Sequence, residues 1–317
     1  MEKRTAENLF GGKIHWPLHL DPPLPALAKP VILNVMPTGS FITRAQNPAQ
    51  PYTAEENARA AIAAYREGAA IWHMHIRDEK GIPCKDPERI RGALDQVLEA
   101  CPDLIISMNA LADYNATGVG NISPIVEPLI RANPRYIDTV VVHTESSRNV
   151  TVEKEDLKDM VVYLQERGIK PEFECVEARG IHNIRAWVLN AGVDLKRPYF
   201  INCYAGSHKG TPLDFGEAWA YRYALLMMES FPEHSVRGVN IGGRLWMPLS
   251  LFMIMLGADH VRIGMEEAVY FYPHKNELIE NNAQMIATMV SLCRALGREV
   301  ATPKAAREIL GLRALPR

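Results

Sequence analysis

Several features that define common classes of protein are missing from this sequence of 317 residues. Charge of one sign is not in excess, because 35 Lys and Arg face 37 Asp and Glu, and this balance gives no electrostatic basis for binding nucleic acid or an anionic membrane surface. No apolar run approaches the roughly 18 residues that span a bilayer, and residues 1–16 lack the hydrophobic centre of a signal peptide. We therefore expect small-molecule partners, and neither nucleic-acid binding, membrane binding nor export.

Cysteine is scarce, and its spacing excludes further classes. The five cysteines are odd in number and widely spaced, with no C-x-x-C pair, so neither a disulfide framework nor a thiol redox motif is predicted. Reduced thiols in a chain of this length are typical of a cytoplasmic protein. No G-x-G-x-x-G follows the first predicted strand, and no Ser-His-Asp or Cys-His pattern indicates a protein nucleophile.

The sequence does contain a regular alternation of two patterns. Short apolar, β-rich runs predict eight strands, at 31–36, 69–77, 104–109, 137–143, 172–176, 199–204, 237–241 and 260–264. Longer amphipathic stretches predict helices, at 53–68, 86–101, 152–168, 214–230, 245–257 and 277–297. The first helix opens with a capping box, Thr53-x-x-Glu56, and the second has Pro87 at its first position.

This alternation of strands and helices predicts the α/β fold class. A strand-then-helix alternation sustained over eight strands favours a parallel sheet closed into a (β/α)8 TIM barrel, with an open doubly wound sheet as the alternative. Residues 1–29 contain prolines at 17, 22, 23 and 25, which predict an extended N-terminal arm. Residues 30–317 are predicted to form one barrel domain with a C-terminal helical tail.

Two histidines and an arginine alternate at the end of the second predicted strand, where barrels of this kind place their active sites. Strand side chains alternate between faces, so His73, His75 and Arg77 share the inner face while the apolar residues between them face the helices. Two neutral imidazoles in an H-x-H pattern can chelate one metal ion. The alternative is a pair of core histidines that hydrogen-bond to the backbone.

Charged side chains end two further strands. The eighth carries Arg262, Glu266 and Glu267, and Glu266 would complete a site of two histidines and one glutamate with a position open for substrate. The alternative is a surface Arg–Glu pair, which is common and weak. The fifth carries Glu172 and Glu174 on one face, and carboxylates inside a barrel need a partner such as Arg262 or a metal. Alternatively, Glu172 is exposed at the start of its strand.

With these residues assembled, the sequence resembles the β-keto acid cleavage enzymes over nearly the whole chain from residue 31. The resemblance includes Thr38-Gly39 followed by QNPAQPYTAEE at 46–56, the H-x-H-x-R of 73–77, and GADHVRIGMEE at 257–267. The tail LGREVATPKAAREILGL at 296–312 also matches. An ordered set of motifs over roughly 280 residues is far more specific than one H-x-H.

The resemblance implies a zinc-dependent (β/α)8 enzyme that converts a β-keto acid and acetyl-CoA into acetoacetate and a new acyl-CoA. It also implies a homo-oligomer, usually a tetramer. The proline-rich arm at 14–30 and the tail after Ala301 are long for a lone barrel, so we expect them to wrap neighbouring subunits. Arg262 corresponds to the family's active-site arginine, and Glu174 is the expected partner of that arginine, with Glu172 as the alternative. The zinc ligands would be His73, His75 and Glu266.

Three departures from the family pattern bear on catalysis and substrate choice. Glu267 stands where the family commonly has Asp, and we expect its carboxylate to act as the proton acceptor. Phe41 stands where members that act on an aminated substrate have a glutamate, which favours an uncharged substrate tail because a phenyl ring makes no charge-assisted hydrogen bond. Asn109 stands at the position of a serine on the third strand. We expect Phe41, Asn109 and Arg77 to line the substrate site.

Two other functions fit parts of the pattern. A metal-dependent barrel hydrolase also uses H-x-H, with further histidines at strand ends, and His143 and His208 lie near such ends. That class typically has the pair on strand one rather than strand two. The second alternative is a zinc- and acyl-CoA-binding protein without activity, in which Glu267 fails to replace the family's Asp.

Overall fold

The structure is a computed structural model that describes residues 21–112, 117–146, 151–206 and 217–315. Residues 1–20 of the predicted arm therefore lie outside the described residues. Within residues 21–29, Pro25–Leu27 form a single 3-10 turn. In the described part of the chain, none of the helices combines the length and the apolar character needed to span a membrane.

Eight parallel strands in the described residues form a closed barrel in chain order, with β8 paired to β1. The predicted (β/α)8 TIM barrel is therefore confirmed, and the open doubly wound sheet is excluded. The strands are β1 Ile32–Val35, β2 Ile71–Met74, β3 Ile105–Met108, β4 Thr139–His143, β5 Lys170–Cys175, β6 Tyr199–Gly206, β7 Ser235–Gly242 and β8 His260–Ile263.

One helix follows each strand, and a ninth closes the described chain. The eight are α1 Ala54–Arg66, α2 Pro87–Ala100, α3 Val119–Ala132, α4 Lys154–Glu166, α5 Ala178–Asn183, α6 Glu217–Ser230, α7 Trp246–Met255 and α8 Asn282–Ala295. The ninth, α9, is Pro303–Leu310. The capping box of α1 forms as predicted, with Thr53 and Glu56 each accepting the other's backbone N–H, and Asp86 caps α2.

Two of these helices, α3 and α5, were not predicted. Pro124 and Pro128 lie inside α3, and proline disfavours a helix interior because it lacks a backbone N–H. The helix forms because its apolar residues make one buried stripe at helical spacing: Ile122, Ile125, Val126 and Leu129. Helix α5 is short and continues as a π-helical segment, Ile184–Leu189, so its pattern departs from the period of 3.6 residues.

The tail closes the amino-terminal end of the barrel. Ala306 and Leu310 of α9 pack against inward-facing residues at the starts of five strands: Ile32, Ile71, Ile105, Phe200 and Val236. Arg307 anchors the helix by donating 2.9 Å hydrogen bonds to both carboxylate oxygens of Asp138. The C-terminal tail is thus helical, as predicted, and it seals the end of the barrel opposite the predicted active site.

Between the apolar amino-terminal end and the carboxyl ends of the strands, the interior of the barrel is polar. The apolar residues of each strand, such as Leu33, Val35 and Trp72, belong to the outer core beneath the helices. The alternate positions point inward and carry hydrogen-bonding or charged side chains. These buried residues include Asn34, His73, Ser107, Thr139, Glu172, Glu174, Asn202, Tyr204, Asn240, His260 and Arg262.

Candidate active site

Three side chains that can bind a metal converge near the carboxyl ends of β2 and β8. The Nε2 atoms of His73 and His75 lie 3.1 Å apart. The Glu266 carboxylate oxygens lie 3.7 Å from His73 Nε2 and 3.5 Å from His75 Nε2. A tetrahedral zinc ion with bonds near 2.0–2.1 Å separates its ligand atoms by about 3.3 Å. The three donors therefore have both the spacing and the chemistry of a metal site.

The hydrogen bonds around His73 select the tautomer that a metal requires. Its Nδ1 lies 3.0 Å from the Ser107 hydroxyl, and Ser107 donates a 2.6 Å hydrogen bond to Glu172. A hydroxyl has one hydrogen, which Ser107 donates to Glu172, so in its contact with His73 it accepts from Nδ1–H. The Arg262 guanidinium also lies 3.3 Å from Nδ1, and the shorter Ser107 contact favours the Nδ1–H tautomer. The lone pair is then on Nε2, the atom that faces His75 and Glu266.

The loop after β1 holds Glu266 in place. The Glu266 backbone N–H donates to the Met36 carbonyl at 3.1 Å. Gly39 packs against the Glu266 side chain so closely that a Cβ added at this glycine would come within 2.8 Å of the carboxylate carbon. The absence of a side chain at position 39 is therefore what leaves room for the carboxylate.

Arg77 holds the loop after β1 in place. It is buried, and its guanidinium donates to the carbonyl oxygens of Gly39 and, at 2.9 Å, of Ile42. The guanidinium also lies 4.8 Å from the centre of the Tyr52 ring. These contacts are with protein groups, so in this structure Arg77 orients the loop that carries Phe41 and faces Glu266.

Arg262 lies entirely inside the barrel, paired with the glutamates of β5. One guanidinium nitrogen contacts Glu174 and lies 3.1 Å from the Tyr204 hydroxyl, and the other lies 3.4 Å from Glu172. Burial by itself would lower the pKa of Arg262, but Glu174 and the other nearby anionic groups raise the pKa well above its ordinary value. The alternative of a surface Arg–Glu pair is wrong, because Arg262 has no exposed surface.

Both candidate glutamates of β5 point inward, and they have different partners. Glu172 is completely buried, so the alternative that places it in solvent at the strand's start is wrong. Its carboxylate accepts hydrogen bonds from Ser107, Thr139 and Asn202 at 2.6, 2.8 and 2.6 Å. Glu174 makes the closer contact with Arg262, as predicted.

Tyr204 and His143 complete the surroundings of Glu174. The Tyr204 hydroxyl donates a 2.9 Å hydrogen bond to Glu174, and burial together with Glu174 raises the pKa of Tyr204 well above its ordinary value, so the phenol keeps its proton. His143 Nδ1 lies 3.8 Å from the same carboxylate. His143 therefore belongs to the Glu174 side of the site and not to the His73–His75–Glu266 cluster.

The other predicted residues lie near this centre. Glu267 is buried, and its backbone oxygen accepts a 2.7 Å hydrogen bond from Gly243 after β7. Asn109 lines a cavity of about 20 Å³ together with His75. Phe41 is 49 % exposed on the loop that Arg77 holds. These positions are compatible with the predicted catalytic and substrate-binding roles, which stay predictions. His208 lies outside the described residues.

Three contributors to the site were not singled out from the sequence. Ser107, Thr139 and Tyr204 lie on strands whose other residues are mainly apolar, and single hydroxyls are common in such strands. The available signal was the alternation itself, because Ser107 lies two residues before Asn109 and must share its face. Their partners are distant in the sequence, so the hydrogen bonds could not be inferred from spacing.

Together, fold and site define a (β/α)8-barrel enzyme whose centre combines a candidate metal site with a buried arginine–glutamate network. The family model described as β-keto acid cleavage enzyme matches residues 30–312. The chain belongs to the β-keto acid cleavage enzyme family, so the resemblance found in the sequence is confirmed. It is an enzyme of β-keto acid cleavage and acyl transfer.

Two relatives agree with this assignment, and one solved structure shares the fold. The 3-keto-5-aminohexanoate cleavage enzyme of Fusobacterium nucleatum is 31% identical over 294 residues, which cover 89% of this chain and 98% of that protein. The 3-oxoadipate:acetyl-CoA acetyltransferase of Cupriavidus necator is 26% identical over 291 residues, covering 90% and 96% of the two chains. The structure of ObcA with oxaloacetate has a TM-score of 0.67 at 14% identity, covering 84% of this chain and 68% of ObcA, a likeness of fold alone.

Proposed function

We propose that this protein is a zinc-dependent acyltransferase that uses acetyl-CoA to convert a β-keto acid into acetoacetate and a new acyl-CoA. The observation that carries the proposal is the cluster of His73, His75 and Glu266 beside the buried pair of Arg262 and Glu174. Two relatives have names that pair an oxo acid with acetyl-CoA, which supports the same reaction type: the 3-oxoadipate:acetyl-CoA acetyltransferase above and the 3,5-dioxohexanoate:acetyl-CoA acetone transferase of Paraburkholderia graminis.

The donor set fits zinc. Two imidazoles and one carboxylate leave a fourth position for substrate, which is the arrangement of a catalytic zinc site. The tautomer of His73 set by Ser107 presents Nε2 to the ion. When bound, zinc would supply Lewis-acid polarisation of the keto group, which acidifies the CH2 between the keto and carboxylate groups.

Two side chains of the protein then take part in the reaction: Glu267 transfers the proton, and Arg262 stabilises the negative charge. Glu267 accepts the CH2 proton on a carboxylate oxygen. Arg262, held by Glu174, stays positively charged and offsets the negative charge that develops on the substrate. The substrate carbon bonds to the acetyl carbonyl carbon, and CoA leaves as its thiolate. The thiolate then attacks the original keto carbon, the carbon–carbon bond breaks, and Glu267 returns its proton to the departing acetoacetate.

Phe41 and Asn109 would contact the part of the substrate beyond the keto carbon. An aromatic wall at position 41 favours an uncharged tail, because a phenyl ring offers an ammonium group no carboxylate for a charge-assisted hydrogen bond. The test is the ratio of kcat/KM for 3-ketohexanoate over 3-keto-5-aminohexanoate. We expect the wild type to prefer the neutral acid and Phe41→Glu to lose much of that preference; a wild type that favours the amine would contradict this role.

We also infer a cytoplasmic homotetramer. The cytoplasmic location rests on the unpaired spacing of the five cysteines, and the assembly rests on the family resemblance. Light scattering at micromolar concentration should give a mass of about four chains of 35.5 kDa. A monomer at that concentration would contradict the inferred assembly.

The decisive experiment measures acetoacetate formed from acetyl-CoA and a panel of β-keto acids, together with metal content. We expect about one zinc per chain, and loss of both zinc and activity in His75→Ala. His182→Ala, at an exposed position on α5, is the matched control and should retain both. Zinc bound equally well by His75→Ala would contradict the assignment of the ligands.

The two alternative functions give different results in the same assay. Loss of the β-keto acid without consumption of acetyl-CoA would identify a hydrolase. Tight zinc binding with no turnover of any tested acid would identify a binding protein. The structure favours neither alternative, because His143 faces Glu174 and not the metal cluster, and the carboxylate of Glu267 remains in the buried centre.

A further inference from the structure

Asn240 occupies a central position that the mechanism above does not use. In the register of the sheet it lies between Tyr204 of β6 and Arg262 of β8, two residues before β7 ends. Those two neighbours contact each other at 3.1 Å, and both contact Glu174. The residues on either side of Asn240, Val239 and Ile241, belong to the outer core, so the amide points into the barrel.

The amide of Asn240 is buried without a protein partner. Its side chain has no exposed surface, and neither its nitrogen nor its oxygen has a hydrogen-bond partner within the described residues. By contrast, the amide nitrogen of Asn202 donates to Glu172 at 2.6 Å. Buried polar groups are nearly always hydrogen-bonded. For a buried amide that meets no partner among the described residues, a water molecule or the substrate is the expected partner.

The charges near Asn240 indicate which group of the substrate its amide would contact. The centre is rich in carboxylates, and Arg262 is already engaged with Glu172 and Glu174. A second negative charge forming on a substrate oxygen therefore needs an additional donor, and an amide N–H supplies one without titrating. Asn240 lies on β7 and His73 on β2, with β8 and β1 between them in the sheet. The amide is therefore placed for a group other than the one the metal cluster would bind.

We propose that the side-chain amide of Asn240 donates a hydrogen bond to the carbonyl oxygen of the acetyl thioester, an inference that rests on the proposed function. When the substrate carbon bonds to the thioester carbon, the C=O electron pair moves to oxygen, and the N–H···O contact strengthens as the alkoxide forms. The C=O bond then re-forms as the carbon–sulfur bond breaks and CoA thiolate leaves. Asn240 donates a hydrogen bond throughout and exchanges no proton.

Two partial reactions test this role. Asn240→Ala should lower kcat for acetoacetate formation by about 10²–10³-fold, the usual loss for one oxyanion donor. The enzyme-catalysed exchange of the substrate CH2 protons into D₂O, measured by NMR without acetyl-CoA, should stay within about threefold of wild type. Zinc content and Tm should also be retained, because the amide removed has no partner among the described protein groups.

Asn34→Ala is the matched control. Asn34 is also completely buried, and both of its amide atoms lack a partner among the described residues. Its register partners are Ile71 on β2, two residues below His73, and Arg262 on β8, so it flanks Arg262 on the side opposite to Asn240. We expect kcat of this variant to stay within about threefold of wild type.

Each outcome discriminates. Asn240→Ala with wild-type turnover would overturn the proposal, and so would an equal loss of exchange and turnover, which would assign Asn240 to the β-keto acid. An equal loss in Asn34→Ala would show a general effect of emptying the barrel interior and would also overturn it. A wild type that exchanges CH2 protons but forms no acetoacetate would refute the proposed function itself, and this assignment with it.

Discussion

Substituting Gly39 by alanine tests whether the loop after β1 positions the metal ligand Glu266. An added Cβ would come within 2.8 Å of Glu266 Cδ and Oε1, where ordinary contact begins near 3.4 Å. The carboxylate would have to retreat by at least the difference, about 0.6 Å. The loop itself has little freedom to yield, because Arg77 holds the carbonyls of Gly39 and Ile42 and stacks on Tyr52.

The size of the effect follows from the tolerance of metal sites. Protein–metal distances are held within about 0.2 Å of their preferred values, so a shift of about 0.6 Å removes Glu266 from good coordination. Disturbing groups that merely support a ligand costs about 10–100-fold in metal affinity, and displacing the ligand should cost at least the upper value. Overpacking should lower the free energy of unfolding by only about 1–3 kcal/mol.

The assay is zinc affinity, measured by competition with a chromophoric chelator, combined with the rate of acetoacetate formation. Gly92→Ala is the matched control, because an added Cβ there meets nothing within 4 Å; its helical position on α2 makes a small gain in stability the expected result. Gly39→Ala with wild-type zinc affinity would refute the reasoning, since either Glu266 would not be a ligand or the loop would not constrain it.

Three further predictions concern stability. Arg262→Met should lower the free energy of unfolding in urea by about 3–5 kcal/mol, because two buried glutamates lose their cation; an unchanged midpoint would contradict this. Burial lowers the pKa of Lys170 to about 8, below its unfolded value, so stability should rise as pH increases from about 8 to 10.5. Lys170→Met should remove that dependence and stabilise the protein at pH 7 by at most about 3 kcal/mol, and a lower Tm would count against it. Arg307→Ala should release α9 and expose the tail to limited proteolysis, because Asp138 holds it by two hydrogen bonds; an uncleaved tail would show that apolar packing alone holds the helix.

Local sequence patterns were enough to predict the barrel. Strands and helices have different hydrophobic periods, and each of the eight strands combines β-rich composition with a length that crosses a barrel. The same alternation placed His73 and His75 on one face, because inward and outward positions follow directly from the period of two. The helices that escaped prediction, α3 and α5, are those in which prolines or a π-helical turn obscure the period.

Local patterns could not assign partners across the barrel. Glu172 and Glu174 share a face by sequence, and the family resemblance indicates Glu174 as the partner of Arg262. Only the tertiary structure shows that Glu172 accepts hydrogen bonds from Ser107, Thr139 and Asn202. Arg77 shows the same limit. The H-x-H-x-R motif does not indicate which protein groups Arg77 contacts, and the structure shows that it donates to two carbonyls of a loop about 35 residues earlier. Its contact with substrate stays a prediction.

The sequence by itself therefore determined the barrel, the end of it that carries the chemistry, and the three residues with metal-ligand character, since these depend on periodicity and residue type. Only the tertiary structure decided which groups surround Glu172, which His73 tautomer the Ser107 contact favours, and that Asn240 has no hydrogen-bond partner among the described residues. The reason is physical. Hydrogen bonds and ion pairs act over about 3 Å, and closure of the barrel brings to that distance residues as far apart as His73 and Glu266.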